Sequence, residues 1–129
     1  MPHILLDYSS NMEDRTDMAV LCDVLRRAAI ATGVFPMAGI RVRAVRVDHV
    51  SIADGNPDHG YIDISVRLRA GRDLSTRQAA AQAIFAAAEA HLAPAMARHS
   101  IALSLEMRDI DADLSPKTGT IRDHLSVEG

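Results

Sequence analysis

YIDISVRLRAGRDLSTRQ, residues 61–78, changes its hydrophobic period halfway along. From Tyr61 to Ala70 the apolar residues Ile62, Ile64, Val66 and Leu68 alternate with Asp63, Ser65, Arg67 and Arg69. That period of two predicts a strand with one face buried. Gly71-Arg72-Asp73 interrupts it. Ser75 and Gln78 then read as a capping box, and Ala81, Ile84, Phe85, Ala88 and Leu92 recur at helical spacing. Pro94 is expected to kink or end this helix, and Ile101 to Ile110 reads as another strand. The half is strand–helix–strand.

Upstream, the same order recurs. His3 to Tyr8, centred on Ile4-Leu5-Leu6, reads as a strand, followed by a Ser9-Ser10-Asn11 loop. Asn11, Asp14 or Thr16 is expected to cap a helix whose buried face is Met18, Leu21, Cys22, Leu25 and Ala29. Gly33 is its left-handed C-terminal cap. After Phe35-Pro36, the segment Gly39 to Asp48 alternates Ile40, Val42 and Ala44 against Arg41 and Arg43. Asp54-Gly55-Asn56-Pro57 is a turn cluster separating the halves. In each half roughly 38 residues separate the paired strand starts, which indicates an internal repeat.

The expected fold class is therefore α+β. One domain, residues 1–129, would hold a duplicated β-α-β unit, with pseudo-repeats at about 2–50 and 60–110 and a polar tail at 111–129. Strands within a half should be parallel with right-handed crossovers, and both helices should pack on one face of a two-layer structure.

At 129 residues the chain can bury one real core. Hydrophobic residues make up 48% but aromatics only 3%, so the core must be built from Ala, Val, Ile, Leu and Met. Few large anchors favour further burial through oligomerisation. The net charge of −3 argues against a general nucleic-acid or membrane binder. Cys22, the single cysteine, excludes an internal disulfide and fits a reducing compartment. Ile4 to Leu6 is too short for a signal-peptide core, and no apolar run approaches the ~20 residues that span a bilayer. The expected location is the cytoplasm.

The chain has 6 histidines (His3, His49, His59, His91, His99 and His124), and none falls in a metal-binding pattern. No phosphate-binding glycine loop is present, and no serine sits in a nucleophile elbow. No metal or cofactor is expected. Of 14 basic residues only Lys117 is lysine, and arginines cluster as Arg41-Arg43-Arg46 and Arg67-Arg69-Arg72. Arginine's planar fork of donors suits carboxylates. Pro2 has two readings. It is either punctuation at a strand's first position, where a missing N–H is tolerated, or a reagent. Initiator methionine is commonly removed before a small residue, which would leave Pro2 with a free secondary amine. In an apolar pocket beside arginines such an amine is kept neutral and can act as a base near pH 7.

Four stretches carry a resemblance. MPHILLDYSSN (residues 1–11), ATGVFPMAGIRVR (31–43), VRVDHVSIADG (45–55) and AGRDLSTRQ (70–78) resemble the 5-carboxymethyl-2-hydroxymuconate isomerase family of the tautomerase superfamily. The resemblance implies a homotrimer with active sites near subunit interfaces and no cofactor. It implies Pro2 as general base and acid, and Arg41 and Arg72 as ligands of substrate carboxylates. The implied reaction converts an unsaturated 2-hydroxy polycarboxylate to its 2-oxo isomer in aromatic-compound catabolism, in the homoprotocatechuate pathway. Arg43 and Arg77 lie in matching stretches without an assigned role, and Pro94 departs from the family's pattern. Two alternatives stand beside this reading. One is a hydratase or dehalogenase on the same fold, and the other is a non-catalytic trimer that binds a small ligand.

Overall fold

Ile4, Leu6 and Tyr8 from one strand and Ile62, Ile64, Val66 and Leu68 from another point to the same side and are buried together. The computed structural model describes residues 1–126. The last residues of the tail expected at 111–129 lie outside the described residues. The elements are β1 (His3–Ser9), α1 (Met18–Ala31), β2 (Arg41–Val47), β3 (Gly60–Arg69), α2 (Leu74–Arg98) and β4 (Ile101–Ile110). Short 3-10 turns occupy Ser10–Asp14, Met37–Gly39, Ala112–Leu114 and Ile121–His124.

The sheet order is β2-β1-β3-β4. β1 pairs with β2 and β3 with β4 in parallel, and the halves meet where β1 runs antiparallel to β3. This is the duplicated β-α-β arrangement read from the sequence. α1 buries Met18, Leu21, Leu25 and Ala29, and α2 buries Ala80, Ile84, Ala88 and Leu92 in the same cluster. The helices also touch each other, so both cover one face. The opposite face carries His3, Leu5, Asp7, Asp63, Ser65 and Arg67, none of which is fully buried.

Several local expectations are corrected. Pro94 neither ends α2 nor breaks it: the helix continues to Arg98, and His99 N–H closes the last turn on the Ala95 carbonyl at 2.9 Å. Pro94 is exposed while Leu92 and Ala95 are buried, so packing of that turn outweighs one missing hydrogen bond. The α2 cap is Asp73 rather than Ser75. Its carboxylate accepts from Thr76 N–H at 2.8 Å and from the Ser75 hydroxyl at 3.1 Å. Ala80, not Ala81, lies on the buried face, and Phe85 is half-buried. For α1 the cap is Asp17, which accepts from Val20 N–H at 3.1 Å. Asn11 instead spans the chain, donating to the His59 carbonyl at 2.9 Å. β2 is shorter than Gly39 to Asp48, because Ile40 N–H is taken by the Met37 carbonyl at 3.1 Å. Gly33, at φ +70, is the left-handed cap expected.

Candidate active site

Pro2 precedes β1 with its side chain fully buried, and its carbonyl accepts from Arg41 N–H at 3.2 Å. The parallel and antiparallel registers place His3 opposite both Arg41 on β2 and Arg67 on β3. Three side chains therefore stand in a row across the sheet face that the helices leave open. Arg43, one step along β2, approaches the His3 ring with Nη1 3.4 Å from Nδ1.

The wall beside Pro2 comes from the segment that follows α1. Phe35 is buried and anchors it, and the Met37–Gly39 turn swings the backbone against the start of the chain. With Met1 attached, the approach leaves no room for a side chain at residue 39. A Cβ there would sit 2.3 Å from the Met1 nitrogen and 2.6 Å from its carbonyl oxygen. After β4, Ile110 is buried and the chain returns past the same end of the sheet, bringing Lys117 and Arg122 over it. These pieces line an open cavity of about 490 Å³ whose walls include Met1, His3, Arg41 and Arg67.

Among the described residues no aspartate or glutamate lines that cavity, so their charge there is positive. The amino-terminal amine, here on Met1, is held below its ordinary pKa. Burial penalises the ammonium form first, then Arg41 and Lys117 repel it. His3 is lowered as well, by burial and then by Arg67, Arg41, Arg43 and the amino terminus. The site thus favours neutral bases beside permanent cations. Such a site can take a proton from an acidic hydroxyl while its arginines hold anionic oxygen.

Arg41 lines this cavity, whereas Pro2 is buried behind Met1 and is joined to Arg41 only through the backbone. Arg72 does not line it: its guanidinium donates to the Val34 carbonyl at 2.8 Å and the Arg69 carbonyl at 3.1 Å. It also lies over the Phe35 ring, 5.7 Å from the centroid. Within its own chain Arg72 braces the segment that forms the cavity wall. Arg67, Lys117 and Arg122 are cavity residues that reading the sequence did not single out. Arg67 was visible as an outward position of β3, and Lys117 as the one lysine, but nothing local shows that the tail folds back. Among the described residues no group of three or more His, Cys, Asp or Glu is placed to hold a metal ion. His59 bridges Asp54 and Ser100, each at 2.7 Å, and clasps a loop to the strand-side end of α2 at a separate cleft.

The family model for 5-carboxymethyl-2-hydroxymuconate isomerase matches residues 2–125. The chain belongs to the 5-carboxymethyl-2-hydroxymuconate isomerase family. Members of this family are isomerases, and this chain is one of them. The 5-carboxymethyl-2-hydroxymuconate Delta-isomerase of Escherichia coli is 33% identical over 121 residues, 94% of this chain and 96% of its own. A crystal structure of a 5-carboxymethyl-2-hydroxymuconate delta-isomerase is 28% identical with a TM-score of 0.90, covering 100% of this chain and 96% of that one. The wild-type symmetric trimer of Q0 fused 4-OT shares the fold alone. It is 20% identical with a TM-score of 0.61, over 84% of this chain and 85% of that one. The family and the tautomerase-like fold expected from the four quoted stretches are both met.

Proposed function

We propose that this isomerase converts 5-carboxymethyl-2-hydroxymuconate to its 2-oxo isomer, with the Pro2 amine moving the proton after Met1 is removed. The observation that carries the reading is the position of Pro2, directly behind Met1 and bonded through its carbonyl to Arg41 N–H, beside a cavity lined among the described residues by cations and no carboxylate. Neutral Pro2 takes the 2-hydroxyl proton, leaving a dienolate whose charge Arg41 stabilises. The protonated amine then returns a proton to a carbon further along the conjugated chain. No atom is gained or lost, and Pro2 ends neutral.

Arg41 binds a substrate carboxylate from the cavity rim. Arg72 is the second proposed carboxylate ligand and would serve a neighbouring subunit's cavity, since within its own chain it faces the Phe35 segment. That arrangement requires the homotrimer. Support for it comes from a sheet with two unpaired edges, β2 and β4, and a face the helices leave open. The half-buried free thiol of Cys22 fits the reducing cytoplasm, and among the described residues no helix is long and apolar enough to cross a membrane. The hydratase reading is disfavoured by the cavity lining, which among the described residues offers no carboxylate to activate water.

The test is ultraviolet ketonisation kinetics with the purified dienol. Loss of dienol absorbance far above the buffer rate supports the proposal. A rate equal to buffer, from protein whose amino terminus is confirmed as Pro2, overturns it.

A further inference from the structure

Five arginines of the chain, Arg26, Arg27, Arg46, Arg77 and Arg108, each have a carboxylate within 4 Å. The four cations of the cavity, Arg41, Arg67, Lys117 and Arg122, have none among the described residues, although they line one open cavity. Four unbalanced cations around one cavity call for a ligand carrying several negative charges. They also come from two different parts of the chain. Arg41 and Arg67 stand on the sheet at neighbouring positions across His3. Lys117 and Arg122 stand on the strap that follows β4 and forms the opposite wall.

The strap has a defined path at its root. Ile110 is buried, and the Asp111 carboxylate accepts from Asp113 N–H at 2.9 Å. The Leu114 N–H donates to the Asp111 carbonyl at 3.3 Å, which fixes the direction in which the chain leaves β4. Farther on, Asp123 N–H closes on the Thr120 carbonyl at 3.1 Å and sets the turn that carries Arg122. Lys117, between these two turns, acts close enough to the chain start to oppose protonation of the amine there.

We propose that Lys117 and Arg122 form a subsite for the third carboxylate of a tricarboxylate substrate, so that the strap makes the enzyme select tricarboxylates over dicarboxylates. This rests on the proposed substrate class, in which the carboxymethyl arm adds a third carboxylate to the two of a muconate. Arg41 and the proposed Arg72 of a neighbouring subunit serve the conjugated diacid, with Arg67 adding positive charge beside them, and the strap reads the extra arm. Lysine suits this place because a point charge on a long stem can follow an arm that rotates, where a rigid fork cannot.

Two non-reacting probes separate the subsite from the reaction. Binding of propane-1,2,3-tricarboxylate and of glutarate is measured by calorimetry at low ionic strength, on wild type, Lys117→Gln, Lys117→Arg and the Lys117→Gln/Arg122→Gln pair. Wild type is expected to favour the tricarboxylate by about tenfold. Lys117→Gln should lower that ratio severalfold with glutarate affinity unchanged, the double variant should erase it, and Lys117→Arg should keep most of it. An equal loss for both probes, an unchanged ratio in the double variant, or no preference in wild type overturns the subsite. Protein that discriminates between the probes but ketonises no dienol leaves the subsite standing and overturns only the proposed reaction.

Discussion

Arg41 and Arg72 lie in matching arginine-rich windows of the sequence, yet their surroundings differ. Arg41 faces the cavity, and its proposed contribution to the reaction rests on a two-pronged grip on a carboxylate. Arg41→Lys keeps the charge and loses the fork, and kcat/KM for the dienol is expected to fall ten- to a hundredfold, the value of about 1.5–3 kcal/mol for a charge-assisted hydrogen bond. A change under threefold would place Arg41 outside the substrate's reach. Arg72 spends two of its donors on the carbonyls of Val34 and Arg69 and covers Phe35. Arg72→Lys cannot reproduce that bracket, so the folded state should lose about 1–2 kcal/mol, read as a lower denaturant midpoint at unchanged slope. Unaltered stability would remove the bracing role. Both arginines were legible in the sequence as side chains suited to binding carboxylates. What each one touches was not, because Val34 is 38 residues from Arg72 and only the fold brings them together.

Among the elements, the strands were the most legible. Alternation in Tyr61–Ala70 reflects a sheet with one face under the helices, a pattern any shift by one residue would destroy. Helix ends were less so. Asp17 and Asp73 outcompete Thr16 and Ser75 as caps because the carboxylates sit where the first free N–H groups point. The run through Pro94 depended on burial of Leu92 and Ala95, which spacing alone does not weigh against a lost hydrogen bond. The pairing of β1 between β2 and β3 has a consequence for acid stability. It partly buries His3 and holds it among Arg67, Arg41 and Arg43, and burial first, then those cations, lower its folded pKa below the unfolded value of about 6.5. As pH falls below that value the unfolded chain takes up the proton first, so stability declines until the folded His3 also titrates. His3→Gln should flatten this part of the profile, with urea midpoints falling less between about pH 6.5 and 5 than in wild type. Parallel profiles would mean that the arginines around His3 do not disfavour its protonation.

At the scale of the whole molecule, the core of small aliphatic side chains, the two open sheet edges and the uncovered face all favour association. Sedimentation equilibrium is expected to return about three times the chain mass of 13.9 kDa. A fully active monomer would contradict a site shared between subunits. The repeat was readable from periodicity and spacing and the family from four short stretches, whereas the cavity was not. Its wall is made by a polar tail whose sequence carries no periodic signal, and its floor by residues brought together across three strands. The account as a whole depends on a free amine at Pro2. It is tested most directly by the initial rate of 5-carboxymethyl-2-hydroxymuconate ketonisation, across pH, for two preparations whose amino termini are verified by mass. One begins at Pro2 and the other retains Met1. The first should be active with an acid limb below the pKa of a free proline amine, and the second should not exceed the buffer rate, since its Pro2 nitrogen is an amide. Equal rates from the two preparations would contradict the account.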